Sequence, residues 1–188
     1  MSSGVVRIEE AEAITGHLLA CLDECYRTLG SLAPLIEDDA TVVVVFETAR
    51  RFGTLTLALR EHLAHRGGVD PTISIVPVPL VGEALTDAFT ADPSGFFLLF
   101  TLSTVVAPKL LVSLRDAGMA LNDVNAGPLR EELATASGVI VSVLRQIGEF
   151  ARSRSTADMD LWRATASDLE SRFAQAGYGE SFGLGRAG

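Results

Sequence analysis

The stretch FFLLFTLSTVVAPKLLVSLR, residues 96–115, decides the fold because it is apolar on every side. Lys109 is its only charged residue before Arg115, and it contains no Asp, Glu or His. A helix that is hydrophobic all round belongs in the centre of a bundle or in a bilayer. Pro108 predicts a kink or a break, since proline removes a backbone donor and crowds the preceding turn. We therefore predict a buried core helix over about residues 94–117.

A membrane span is the disfavoured interpretation of the same stretch, although its length approaches the ~20 apolar residues that a span requires. Lys109 would cost roughly 2.5–3.5 kcal/mol near the centre of a bilayer. Arg115 and Asp116 close the segment together, without a basic flank. The first twelve residues lack the basic start and apolar stretch of a signal peptide. We predict a cytoplasmic protein.

Composition bounds the possible partners. The chain has 188 residues, 48% of them hydrophobic, and a formal net charge of −9. This length can bury a sizeable core, and one domain is the default. An acidic chain is a poor match for nucleic acid, which needs a basic stripe. Cys21 and Cys25 lie four residues apart, which on a helix puts two small hydrophobic side chains on one face.

Helical periodicity surrounds the central stretch. Apolar residues recur at spacings of three and four in four further segments. These segments are about residues 8–33, 40–66, 129–150 and 159–173, with a short helix at 81–89. The alternative for part of the chain is a sheet: residues 41–46 have strand composition. Paired with residues 73–78 and 96–100, they would make the protein α+β.

The order of these segments predicts an all-α protein. Two antiparallel helices, a long proline-rich connection and two more helices describe a four-helix up-down bundle with one long crossover. We assign residues 1–152 to this bundle domain. Residues 153–176 form an appended C-terminal interaction helix, and residues 177–188 a flexible Gly-rich tail.

One segment resembles a known family. Arg50-Arg51-Phe52 through Glu61-His62-Leu63-Ala64-His65-Arg66-Gly67-Gly68 is similar to the second helix of small ferritin-like bacterial proteins. The layout from Ile8 to Phe150 resembles theirs. The resemblance implies a di-iron site, which needs a Glu from each of two helices and a Glu-x-x-His pair from each of the other two. The central stretch offers none of these ligands, so we predict no metal, no cofactor and no transfer of the family's oxidase activity.

A pocket between the helices is the alternative source of function, as an enzyme or a carrier of a small apolar ligand. Thr101, Ser103 and Thr104 could polarise such a ligand, although hydroxyls in helices more often bond the carbonyl four residues back. The carbonyl of Thr104 is the one that Pro108 deprives of its helical donor. The candidate pocket residues are Glu47, His62, Thr101 and Thr104.

The leading hypothesis is a non-catalytic protein that acts through self-association, as a homo-oligomer, or through a protein partner. Trp162 and Phe173 lie on one stripe of the last helix and are candidate interface anchors. Phe182 and Leu184 alternate with glycine in the tail, which resembles the short tails that dock cargo proteins inside encapsulin shells. Shell cargo is therefore a further alternative.

Overall fold

The computed structural model describes residues 8–64, 78–120, 127–153, 159–178 and residue 182. These ranges contain helices and connecting turns and no strand, so the all-α prediction is confirmed there. The helices are α1 (Ile8–Leu32), a 3₁₀ turn (Ala33–Leu35), α2 (Asp39–Ala64), α3 (Pro79–Ala91), α4 (Phe96–Thr101), a π turn (Leu102–Val106), α5 (Ala107–Ala120), α6 (Gly127–Arg152) and α7 (Met159–Gln175).

The strand alternative is wrong for residues 41–46 and 96–100, which are helical; residues 73–77 lie outside the described ranges. A cap and a buried face explain why a valine run forms a helix. An Asp38 carboxylate oxygen accepts hydrogen bonds from the Thr41 backbone N–H at 2.8 Å and the Thr41 hydroxyl at 2.7 Å. Further along, Val45, Ala49 and Phe52 are buried at helical spacing. Burial of this face outweighs the weak helix propensity of valine.

The central stretch is one helix that is widened rather than broken. The elements α4, the π turn and α5 follow one another directly, and we call residues 96–120 the apolar helix. In the π turn the Ala107 N–H donates to the Leu102 carbonyl. Pro108 lies two residues beyond the end of this turn. A π turn is a known way to relieve the crowding that a proline causes. The break predicted at Pro108 is thus replaced by a local widening.

The turn before the apolar helix is fixed by Asp92 and Gly95. The Asp92 carboxylate accepts hydrogen bonds from the backbone N–H of Ser94 at 3.1 Å and of Phe97 at 3.0 Å. Gly95 has φ +77°, and a Cβ there would lie 2.9 Å from the Ile36 side chain. Only glycine fits this position without strain. The Asp-Pro-Ser-Gly sequence therefore sets where the apolar helix begins.

The contacts of four helices form a closed cycle. α1 packs against α2 and α5, and α6 packs against the same two helices from the other side. α3 lies within the long connection and packs on α1 and α4. α7 packs on α4 and the π turn. The apolar helix thus lies between neighbours, with Leu98, Leu102, Val106 and Leu110 fully buried.

Candidate functional site

Glu47 lies on the outer side of α2, not in a pocket. One of its carboxylate oxygens accepts hydrogen bonds from Arg50 at 2.8 Å and from Arg51 at 3.0 Å. These hydrogen bonds, from Arg50 first, lower the pKa of the Glu47 carboxyl to about 2. A carboxylate held in this way is ionised at neutral pH and tied to its own helix. Glu47 is therefore paired with arginines of its own helix rather than grouped with the other predicted pocket residues.

The other predicted pocket residues do not share one environment. Thr101 is fully buried, and its hydroxyl has no hydrogen-bond partner within the described part of the chain. Thr104 is exposed and donates to the Phe100 carbonyl at 2.8 Å. The side chain of His62 lies outside what the structure describes. The predicted grouping of Glu47, Thr101 and Thr104 is therefore not found.

The unpartnered hydroxyl of Thr101 gives a direct prediction. We expect Thr101→Val to raise the free energy of unfolding by about 1 kcal/mol, because the change keeps the shape and removes a buried donor without a partner. Urea unfolding followed by circular dichroism measures this. Thr56→Val is the matched control, since the equally helical Thr56 donates to the Phe52 carbonyl at 2.9 Å. A loss of stability in Thr101→Val would show that its hydroxyl is bonded in solution.

Trp162 and Phe173, predicted as interface anchors, lie in the core of the chain. Trp162 is 8% exposed and stacks on Phe96 at 4.9 Å and on Phe97 at 5.8 Å between ring centroids. Phe173 is fully buried. The spacing of both residues on one stripe was correctly recognised, but that stripe packs α7 onto the apolar helix. Neither side chain is available to a partner.

Lys109, the one charged residue between Phe96 and Leu114, also helps to hold α7. Its ammonium group lies 2.7 Å from a Glu170 carboxylate oxygen and 5.9 Å from the centre of the Phe173 ring. The lysine side chain is buried, whereas Glu170 is partly exposed. A buried charge needs such a partner, because desolvation without one is costly. Glu170 of α7 therefore neutralises the buried charge of Lys109.

Phe182, predicted to lie in a flexible tail, is fully buried. Its backbone N–H donates to the Ser113 hydroxyl at 2.7 Å. Its ring meets Phe173 and Tyr178 edge to face, with centroids 5.5 Å and 5.6 Å away. Residue 182 thus belongs to the folded core, while Leu184 lies outside the described residues.

A buried histidine borders the same aromatic cluster. His17 stacks on Tyr178 with centroids 5.7 Å apart, and neither ring nitrogen has a hydrogen-bond partner in the described ranges. Burial lowers the pKa of His17, which keeps the ring neutral at neutral pH. Burial likewise raises the pKa of the Cys21 and Cys25 thiols. Within the described ranges, no group of three or more His, Cys, Asp or Glu side chains is arranged to hold a metal ion.

An apolar pocket does exist, at the junction of α4 and α6. Its volume is about 230 Å³, and its walls include Phe96, Phe100, Leu144 and Phe150. Ser103 is the one hydroxyl among the described residues that line it, and that hydroxyl donates to the Phe100 carbonyl at 3.0 Å. The sequence indicated the right segment of the apolar helix, but the predicted Thr101 and Thr104 flank the serine that lines the pocket.

The outer side of α2 is the other unusual surface. Val43, Phe46 and Leu57 are 66%, 62% and 56% exposed. Tyr26 of α1 lies directly over Gly53, where a Cβ would be 2.9 Å from its ring. The sequence analysis missed this face because the buried residues of α2, such as Val45, Ala49 and Phe52, recur at the same helical spacing. The apolar residues of α2 were therefore all attributed to one buried face. The spacing of residues 43, 46, 50, 53 and 57, alternately three and four, was the available signal.

Comparison with protein-family models, curated proteins and solved structures finds no match to this chain. Within the described ranges, one helix, Phe96–Arg115, has the length and composition to cross a membrane. Its most apolar window is 67% buried inside the chain, as in the core helix of a soluble bundle. A single helix of this kind is weak evidence for a membrane span.

Proposed function

We propose that this chain is a non-catalytic, metal-free helical protein that acts by self-association, with its main helices arranged as in ferritin-like four-helix bundles. The ring of contacts among α1, α2, α5 and α6 supports this arrangement. The observation that carries the functional proposal is the apolar stripe on the outer side of α2. The occupant we propose for it is a second copy of the same chain.

The stripe has the spacing of a helix-pairing seam. It comprises Val43, Phe46, Arg50, Gly53, Leu57 and Arg60, at alternating intervals of three and four. This is the a/d pattern by which two helices pack side by side. At ~1.5 Å per residue the stripe is about 26 Å long. Three of its apolar or aromatic side chains are more than half exposed, which is unusual for a residue row facing water.

The stripe is complementary to itself when the two copies run antiparallel. A two-fold axis between Arg50 and Gly53 brings Phe46 of one copy opposite Leu57 of the other. It also brings Arg50 opposite Gly53, beside a groove that Tyr26, Gly53 and Leu57 line. A guanidinium from the other copy can stack on the Tyr26 ring there. Such a pairing of one patch with itself is the isologous interface of a symmetric dimer.

Charge favours the same register. Arg60 lies near the end of α2, and the exposed Asp39 is its first residue. In the antiparallel pairing, Arg60 of one copy comes within a helical turn of Asp39 of the other. The chain as a whole carries a net charge of −9, so two copies repel each other unless arginines meet acids at the contact. Arg27 and Arg50 line a groove with Phe46, and Arg50 and Arg60 line another with Leu57. Each of these arginines also pairs with an acid of its own chain.

The titratable groups support a role outside catalysis. Glu47 is ion-paired on the outer face, whereas His17 and the cysteines are buried in the core. Acid–base catalysis requires such groups to converge beside a substrate pocket. The pocket beside α4 contains none of them among its described residues.

Sedimentation tests the proposal. We expect the wild-type chain to form a dimer whose population rises with concentration, and Leu57→Asp to sediment as a monomer, because the change puts a charge into the apolar contact. Val141→Asp is the matched control, since Val141 is 54% exposed on α6, away from the stripe. It should leave the dimer intact. Circular dichroism checks that both variants remain helical.

The register has its own test. Asp39→Lys and Arg60→Glu should each weaken the dimer, because each places like charges opposite one another. The double variant restores the opposite charges and should restore the dimer. A wild-type chain that is monomeric at every concentration would refute self-association. Failure of the double variant to recover would refute the antiparallel register alone.

A further inference from the structure

The pocket between α4 and α6 has the chemistry of a ligand site that does not depend on self-association. It lies on a different face of the chain from the α2 stripe and has a volume of about 230 Å³. That is somewhat smaller than the ~300 Å³ at which pockets for larger organic ligands begin. The space therefore suits a compact molecule of one ring or a short branched chain.

Aromatic rings form the walls of this pocket and are held in place from behind. Phe96 and Phe150 lie with centroids 6.0 Å apart, and Phe96 stacks on Trp162 at 4.9 Å. Phe100 is also within 5.9 Å of Trp162. Rings supported in this way cannot collapse into the space without losing their own packing. The pocket is consequently pre-formed, which lowers the entropic cost of binding.

The polarity of the lining defines the class of ligand. Among the described residues that line the pocket there is no charged side chain, and Ser103 supplies the one hydroxyl. Because this hydroxyl already donates to the Phe100 carbonyl, its free capacity is to accept a hydrogen bond. An ionised ligand would lose its hydration there without gaining a partner. A neutral molecule with an aromatic ring, and at most one donor, matches the site.

The chain's own neighbouring segment is a poor occupant for this pocket. α6 ends at Arg152, and the sequence that follows is Ser153-Arg154-Ser155-Thr156-Ala157-Asp158, which is polar. We propose that the pocket binds a small, uncharged aromatic molecule between the rings of Phe96, Phe100 and Phe150.

Gly148 makes the proposal testable without damaging the fold. It lines the pocket, and a Cβ at this position would meet no heavy atom within 4 Å. Gly148→Leu therefore fills the space with the new side chain itself. Replacing a glycine within a helix also favours the helix by about 0.5–1 kcal/mol. Gly138→Leu is the matched control, because Gly138 lies on the same helix, is exposed, and also has open space at its Cβ.

The experiment titrates the full chain with toluene, benzyl alcohol and benzoate. Trp162 is the only tryptophan, so its fluorescence reports on the wall of the pocket, and amide NMR signals of Ser103 and Gly148 report on its lining. We expect saturable changes with toluene and benzyl alcohol, the alcohol binding more tightly, and none with benzoate. Gly148→Leu should weaken binding roughly tenfold or more, which corresponds to ~1.4 kcal/mol. Gly138→Leu should not change it.

Three outcomes would overturn the proposal. The first is no saturable response in the wild-type chain, and the second is an equal response in Gly148→Leu. The third is a loss of binding in the monomeric variant Leu57→Asp, which would assign the response to the contact between copies. If Leu57→Asp and the wild type bind the aromatic ligand with equal affinity, the pocket does not depend on the proposed dimer. The pocket proposal and the dimer proposal can therefore be refuted separately.

Discussion

Trp162→Ala is expected to lower the free energy of unfolding by about 3 kcal/mol, because large-to-small changes at buried aromatic residues leave a cavity that the core fills only partly. The indole lies against Phe96 and Phe97 and is almost completely buried. Its removal takes away the main apolar contact between α7 and α4. It also loosens the helix whose Glu170 neutralises the buried Lys109. Urea unfolding followed by far-ultraviolet circular dichroism measures the effect, since the variant has no tryptophan.

Two control variants separate packing from an interface role. Trp162→Phe keeps a ring and should recover most of the stability, whereas Arg163→Ala, on the exposed side of α7, should change it little. The sequence predicts an altered oligomeric state for Trp162→Ala, and the structure predicts an altered stability. A change in sedimentation with stability unchanged would return Trp162 to the interface.

The periodicity of apolar residues predicts where helices form, but not what covers each apolar face. Periodicity locates α1, α2, α6 and α7, because one side of each helix must be apolar to reach the core. The length of continuous helical spacing also resolves the valine run of residues 41–46 in favour of a helix. The same pattern cannot tell whether an apolar stripe packs inside its own chain or against another. This is why Trp162 and Phe173 were assigned to a partner, whereas they pack within the core.

The pocket could be predicted only in part, for a related reason. Hydroxyls at residues 101, 103 and 104 mark the right turn of the apolar helix, but the π turn before Pro108 changes the rotation of the residues around it. The hydroxyl that lines the pocket is therefore determined by a local departure from ideal helical spacing.

Glu47 was predicted to point inward because its neighbours in the sequence are apolar. Arg50 and Arg51 follow at helical spacing on the same side and hold it at the surface.

The tail shows where composition misleads. Glycine-rich ends are usually mobile, and Phe182 with Leu184 was accordingly assigned to a docking tail. A single aromatic residue can belong to the core when a cleft accepts its ring. The cleft is formed by Phe173, Tyr178 and Ser113, which come from two separate segments of the chain, and no local pattern reveals their meeting.

Phe182→Ala should therefore lower the free energy of unfolding by about 3 kcal/mol, an effect that a purely mobile tail would not produce. The ring fills a cleft between Phe173 and Tyr178 with the edge-to-face geometry that aromatic pairs favour. Its backbone hydrogen bond to the Ser113 hydroxyl links residue 182 to α5, so Ser113→Ala should lower the free energy of unfolding by about 1 kcal/mol.

Leu184→Ala is the matched control. If residues 182 and 184 form a docking tail, both side chains are needed to bind a partner and neither affects stability. If residue 182 belongs to the core, Phe182→Ala destabilises the fold and Leu184→Ala does not. Equal, small losses of stability in the two variants, measured by urea unfolding, would contradict the core assignment and restore the tail to a binding role.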